Sequence, residues 1–203
     1  MQNDPRIVLL MIGVGAYVAK LWYDDFRSAV KGEPHSRALP GATSAPWRAI
    51  VIAVSGSLAL LVAETYGEKQ FGLTEQQSKM TGLYAVYTLV AAVIEEIVFR
   101  GFIVVENRGR AILWLSVIGA SLLFAALHPF LWDWQEGKLL WSFTPKAWFS
   151  TGAIFVGSLW FYVTRFASFN PRGSLLPCFA AHGAKNLGVI VIKAAQGFLV
   201  GWY

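Results

Sequence analysis

Two adjacent carboxylates, Glu95 and Glu96, follow the charge-free run Met80 to Ile94. A carboxylate at bilayer depth costs roughly 2.5 to 3.5 kcal/mol on insertion scales, so two together need partners or a polar cavity. Two histidines sit in equally apolar surroundings, His128 at the end of Phe124-Ala-Ala-Leu-His128 and His182 in His182-Gly-Ala-Lys-Asn186. An acid beside imidazoles can activate water, relay protons or ligate a cation.

The spacing separates the two acids. Adjacent helical residues point about 100° apart, so one of the pair faces a site while the other turns to a neighbour. Arg100 stands four residues after Glu96, on the same helix face and with the acid N-terminal to the base. Glu96 is thereby read as the paired, supporting carboxylate, which leaves Glu95 as the catalytic candidate. The competing reading is a charged cap where the helix leaves the membrane. Glu95 and His128 are 33 positions apart, with the midpoint beside the turn-like Glu106-Asn-Arg-Gly-Arg110. In an antiparallel hairpin both would lie about 24 Å from the bend, at equal depth. His182 and Asn186 are an i,i+4 pair and present two polar groups on one face. Zinc is an open alternative, with Glu95, His128 and His182 as candidate ligands and water in the fourth place.

These side chains need helices in a bilayer to hold them. Of 203 residues, 56% are apolar and 14% charged, and the mean hydropathy is +0.50, a balance of membrane proteins rather than soluble domains. Six segments can span: about Ile7 to Trp22, Ala49 to Tyr66, Met80 to Val105, Ala111 to Leu127, Ala147 to Thr164 and Ser174 to Ile192. They lack the alternation of barrel strands, so the predicted class is all-α, a polytopic transmembrane bundle. Residues 1–79 supply two N-terminal helices and residues 80–203 the candidate core. The first apolar stretch has no cleavage signal and is read as a retained anchor. The connection Tyr23 to Arg48, rich in turn formers, reads as a simple linker. The aromatic stretch Pro129 to Pro145 reads as a segment at headgroup level flanking a substrate entrance. Counting Lys and Arg on the two sides gives ten against seven, a weak bias toward both termini outside the cytoplasm.

Several chemistries are excluded. The net charge of +5 is scattered over short loops, which argues against nucleic acid. One cysteine, Cys178, rules out an intrachain disulfide and reads as inert packing. No His-Glu-x-x-His occurs, and Asp4, Asp24, Asp25 and Asp133 all lie outside the spans. Neither Ser57 nor Ser121 sits in Gly-x-Ser-x-Gly, and both are read as helix-packing residues.

Taken in order, Glu95-Glu96-Ile-Val-Phe-Arg100, Phe124-Ala-Ala-Leu-His128 and His182-Gly-Ala-Lys-Asn186 resemble three motifs, Glu-Glu-x-x-x-Arg, Phe-x-x-x-His and His-x-x-x-Asn. These belong to the CAAX prenyl protease and bacteriocin-processing (Abi-like) family of intramembrane proteases. The resemblance covers about residues 80 to 192. It implies an endopeptidase in a bacterial cell membrane that acts on a membrane-associated peptide, of CAAX or bacteriocin-related type. It also implies Glu95 as general base with His128 assisting, His182 and Asn186 as oxyanion donors, and Glu96, Arg100 and Phe124 in support. The metal-free form is preferred over zinc. The competing class is a transporter or an immunity or binding protein that uses Glu95, Glu96, His128 and Lys185 as a relay. Asn186 has no part in such a relay and suits an oxyanion.

Overall fold

The computed structural model describes residues 4–203, so the first three residues of the N-terminal stretch lie outside the described residues. The chain forms an all-α bundle: α1 Pro5–Val30, α2 Trp47–Gln70, α3 Gly82–Glu95, α4 Arg110–Leu127, α5 Pro145–Phe166 and α6 Leu176–Ala195. At the end of α3 the helix widens into a π-helical segment, Glu96–Phe102. Five of these helices, counting α3 with its π segment, are long and apolar enough to cross a membrane. The sixth expected span, α6, is 20 residues long but carries His182, Lys185, Asn186 and Lys193. Its polarity belongs to the interior of the bundle, where His182, Lys185 and Lys193 are buried.

Local chemistry sets the helix starts. Asp4 accepts from the Arg6 amide at 2.9 Å with Pro5 in the first turn, and Thr81 and Thr144 cap α3 and α5 in the same way. The free amides of Gly82 and Leu83 are taken by the carbonyls of Gly201 and Trp202, so the C-terminal segment closes the start of α3.

α1 lies along α3, α2 along α6, and α4 along α5. Small residues permit the close approaches. Ala49, Ala53 and Ser57 are fully buried on α2, Ser57 donates to the Ala181 carbonyl on α6 at 2.8 Å, and Gly56 leaves room for the Trp160 ring. Lipid-facing Leu10, Val62, Leu115 and Leu122 are exposed, as the outer surface of a membrane bundle requires.

One connection differs from its sequence reading, and a second holds structure that the sequence reading did not specify. The stretch after α1 is not a simple linker, because α1 itself extends to Val30 and residues 39–43 pack into one end of the bundle. Trp22 Nε1 donates to the Pro40 carbonyl at 3.1 Å, Asp25 accepts from the Leu39 amide at 2.9 Å, and the Leu175 amide reaches the Gly41 carbonyl at 3.0 Å. Gly41 has φ +62°, and a Cβ there would stand 2.4 Å from Arg165 Nη1 and 2.7 Å from Leu175 Cγ. Gly41→Ala is therefore expected to cost roughly 1–3 kcal/mol. Thermal unfolding of the purified protein should show a drop of several degrees.

The second is the aromatic stretch, which folds into an antiparallel hairpin, β1 Trp132–Gln135 and β2 Lys138–Trp141, joined at Glu136-Gly137. Both turn residues have positive φ, the geometry of a two-residue turn matched to strand twist. The register aligns Trp132 with Trp141 and Trp134 with Leu139, so one face of the hairpin is apolar.

Candidate active site

A cavity of about 1220 Å³ opens inside the bundle, and Glu95, His128, His182 and Asn186 all line it. Three helices, α3, the end of α4 and α6, thus deliver the four polar groups to one space. Phe130 and Ser142, at the base of the hairpin, line the same cavity.

The two acids part as adjacent helical residues must. The Glu95 side chain remains 31% exposed, on the cavity, and its Oε2 stands 3.7 Å from His182 Nε2. Glu96 turns inward and is completely buried; its Oε1 lies 3.3 Å from Arg100 Nη1, itself completely buried. That same Oε1 lies 2.7 Å from His182 Nδ1. His182 is therefore held between two carboxylates, one buried and one facing the cavity.

The π turn fits this arrangement. Its backbone is pinned by Tyr162, whose hydroxyl lies 2.7 Å from the Phe99 carbonyl and 3.2 Å from that of Ile103. A π segment of this kind leaves carbonyls without their usual helical partner and recurs at functional sites. The Arg100 guanidinium is enclosed by aromatic faces, 4.6 Å from the Phe124 ring, 4.9 Å from Tyr162 and 5.1 Å from Phe161. These rings compensate part of the lost hydration of the cation. Phe161 also stacks on His182 at 4.7 Å. Phe124 thus serves both the guanidinium and the imidazoles, since its ring also lies 4.6 Å from that of His128.

His128 ends α4, where its Nδ1 lies 2.8 Å from the Phe124 carbonyl. An Nδ1–H donated there leaves Nε2 as the free, basic nitrogen. Asn186 spends one amide proton on the Thr88 carbonyl at 2.9 Å, which fixes its side chain and leaves the other proton available. Lys185, a relay group only in the competing transporter reading, pairs with Glu64 of α2 at 2.9 Å.

Among the described residues no group of three or more His, Cys, Asp or Glu side chains is disposed to hold a metal ion. The set Glu95, His128 and His182 lines one cavity without converging as a ligand shell.

A family model described as type II CAAX prenyl endopeptidase Rce1-like matches residues 77–188, more than half of the chain. The chain belongs to this family. It is accordingly a peptidase of the CAAX-endopeptidase type, an integral membrane protein whose substrate is a peptide or protein. The matched region contains Glu95, Glu96, Arg100, Phe124, His128, His182 and Asn186. No curated protein and no solved structure matches the chain.

Sequence reasoning did not find Ser158, which contacts Arg100 at 2.7 Å. Nothing in its local sequence marks it. It also did not find that His182 touches Glu96, because the contact joins α6 to the π segment across 86 positions.

Proposed function

We propose that the chain hydrolyses a peptide bond of a membrane-associated substrate with water activated by Glu95 and His128. The observation that carries this reading is a single cavity lined by a partly exposed Glu95, a His128 with one nitrogen free, and the His182–Asn186 pair. Glu95 takes a proton from water as the oxygen attacks the scissile carbonyl, and His128 Nε2 accepts a hydrogen bond from the same water. The carbonyl oxygen becomes an oxyanion. His182, oriented by its Nδ1 contact with Glu96, offers Nε2–H to the oxyanion, while the second amide proton of Asn186 completes the pair of donors. Collapse of the tetrahedral intermediate breaks the C–N bond, and the proton held by Glu95 passes to the leaving amine.

The motif set supports a finer setting, a bacterial cell membrane and a substrate of CAAX-type or bacteriocin-related class. It also supports a metal-free reaction, because every proton transfer and charge above has a named side chain. Purified protein in lipid nanodiscs should cleave membrane-anchored peptides at an unchanged rate after treatment with a strong chelator. Loss of cleavage on chelation and its return with zinc would overturn the metal-free mechanism. No cleavage of any anchored peptide, alongside solute movement in proteoliposomes, would favour transport instead.

A further inference from the structure

We propose that Ser158 is a positioning residue for this centre, acting on His182 through Arg100 and Glu96, with Ser121 holding Ser158 from the adjacent helix. The inference rests on the proteolytic reading above for its kinetic consequence, but not for its structural one.

The contacts form one chain across four elements. Arg100 Nη2 donates to Ser158 Oγ at 2.7 Å and reaches the Ser158 carbonyl at 3.3 Å. Ser158 Oγ in turn lies 3.1 Å from Ser121 Oγ on α4. On the other side, Arg100 Nη1 faces Glu96 Oε1, which meets His182 Nδ1. A hydroxyl has one proton and two lone pairs. With a lone pair taken by Arg100, the Ser158 proton is free to point at Ser121, and the direction of the chain follows.

Ser158 matters because Arg100 has few other polar anchors. Its Nε and Nη1 have no hydrogen-bond partner, and its faces meet only aromatic rings. Rings confine a guanidinium to a plane but do not set its rotation within that plane. The two contacts to Ser158 set it, and so fix where Nη1 presents its charge to Glu96. Glu96 Oε2 has no partner either, so the orientation of this carboxylate depends on what meets Oε1. A shift in Arg100 is thereby transmitted to the hydrogen bond that orients the imidazole, and an outer partner of this kind is worth roughly 10- to 100-fold where it has been measured at metal sites.

The bland alternative is that Ser121 and Ser158 simply join α4 to α5 as helix glue, a bond worth about 0.6 kcal/mol on average in membranes. The two readings separate cleanly. Glue makes Ser121→Ala and Ser158→Ala equivalent, because each removes the same serine–serine bond. Positioning makes Ser158→Ala much the worse, because only it deprives Arg100 of its closer acceptor, the Ser158 hydroxyl at 2.7 Å, and leaves the carbonyl at 3.3 Å alone to hold it.

The chain has three histidines, so 15N-histidine NMR of the protein in nanodiscs can follow His182 directly. Ser158→Ala is expected to move the His182 Nδ1 resonance away from its hydrogen-bonded position, and to lower kcat by roughly tenfold with little change in KM. Ser121→Ala should leave the resonance in place and change kcat less than threefold. Ser158→Thr, which keeps the hydroxyl, should restore the wild-type signal, and Ser158→Cys, a weaker acceptor of similar volume, should fall between. Equal effects of Ser121→Ala and Ser158→Ala, with the His182 signal unmoved in both, would overturn the inference. Were the resonance to move in a protein that cleaves no peptide, the linkage would stand and the proteolytic reading would fall. Were cleavage to depend on Glu95 while Ser158→Ala changed neither signal nor kcat, the reverse would hold.

Discussion

Replacing Glu95 with alanine is expected to lower kcat by about 10²–10⁴-fold, the span over which a positioned general base contributes, while KM stays close to the wild-type value. The reason lies in where the two acids point. Glu95 faces the cavity beside His182 Nε2 and is partly exposed, so its loss opens no buried void and breaks no buried ion pair. The variant should fold and unfold like the wild type. Glu95→Gln should be nearly as inactive, since an amide keeps the shape but cannot take the proton of water. Peptide cleavage by protein in nanodiscs, with thermal unfolding as the control, reads both effects. Wild-type rates in Glu95→Ala would refute the assignment of the base and would turn attention to His128.

Arg100→Met is the counterpart, with its effect on stability. Arg100 and Glu96 are both completely buried, and removing one member of such a pair leaves an uncompensated charge at a cost of about 3–5 kcal/mol. The aromatic cage that suits a guanidinium has no means of solvating the orphaned carboxylate. Unfolding in mixed detergent micelles should therefore show a large loss, or no folded protein at all. The double variant Glu96→Gln/Arg100→Met removes both charges and should recover much of the loss, because in a double-mutant cycle these two sites are coupled. It should not recover activity, since His182 would lose the Glu96 carboxylate that meets its Nδ1. A loss under 1 kcal/mol in Arg100→Met would mean that Glu96 and Arg100 do not act as a buried ion pair.

The contrast between these variants rests on one turn of helix. Residues 95 and 96 differ by one position, yet one meets the cavity and the other the interior. The expected loss of activity without structural consequence belongs to the first, and the expected loss of stability to the second.

The bundle and the local pairings were determined by the sequence alone. Apolar stretches of bilayer length set the helices, because a chain in lipid must satisfy its backbone groups within itself. The i,i+4 spacing was enough to bring Glu96 to Arg100, and to put His182 and Asn186 on one face, because helix geometry fixes such neighbours whatever the tertiary context. The polar residues of α6 were legible as interior for the same reason that they weaken it as a span.

Tertiary structure decided everything that depends on which helix lies beside which. The placement of His182 between Glu95 and Glu96, of Ser158 beside Arg100, and of Lys185 against Glu64 joins residues 58 to 121 positions apart. No local spacing encodes such contacts. They follow from the small-residue seams between α2 and α6 and between α4 and α5, and from the shape of the π turn. The connection after α1 was misread because turn formers describe its backbone and not its burial. Its place against Leu175 and Arg165 became visible only once α5 and α6 had brought those residues together. The adjacent acids Glu95 and Glu96 belong to both accounts. Their sequence guaranteed that they would diverge, and the packing of α6 decided that a single histidine would meet them both.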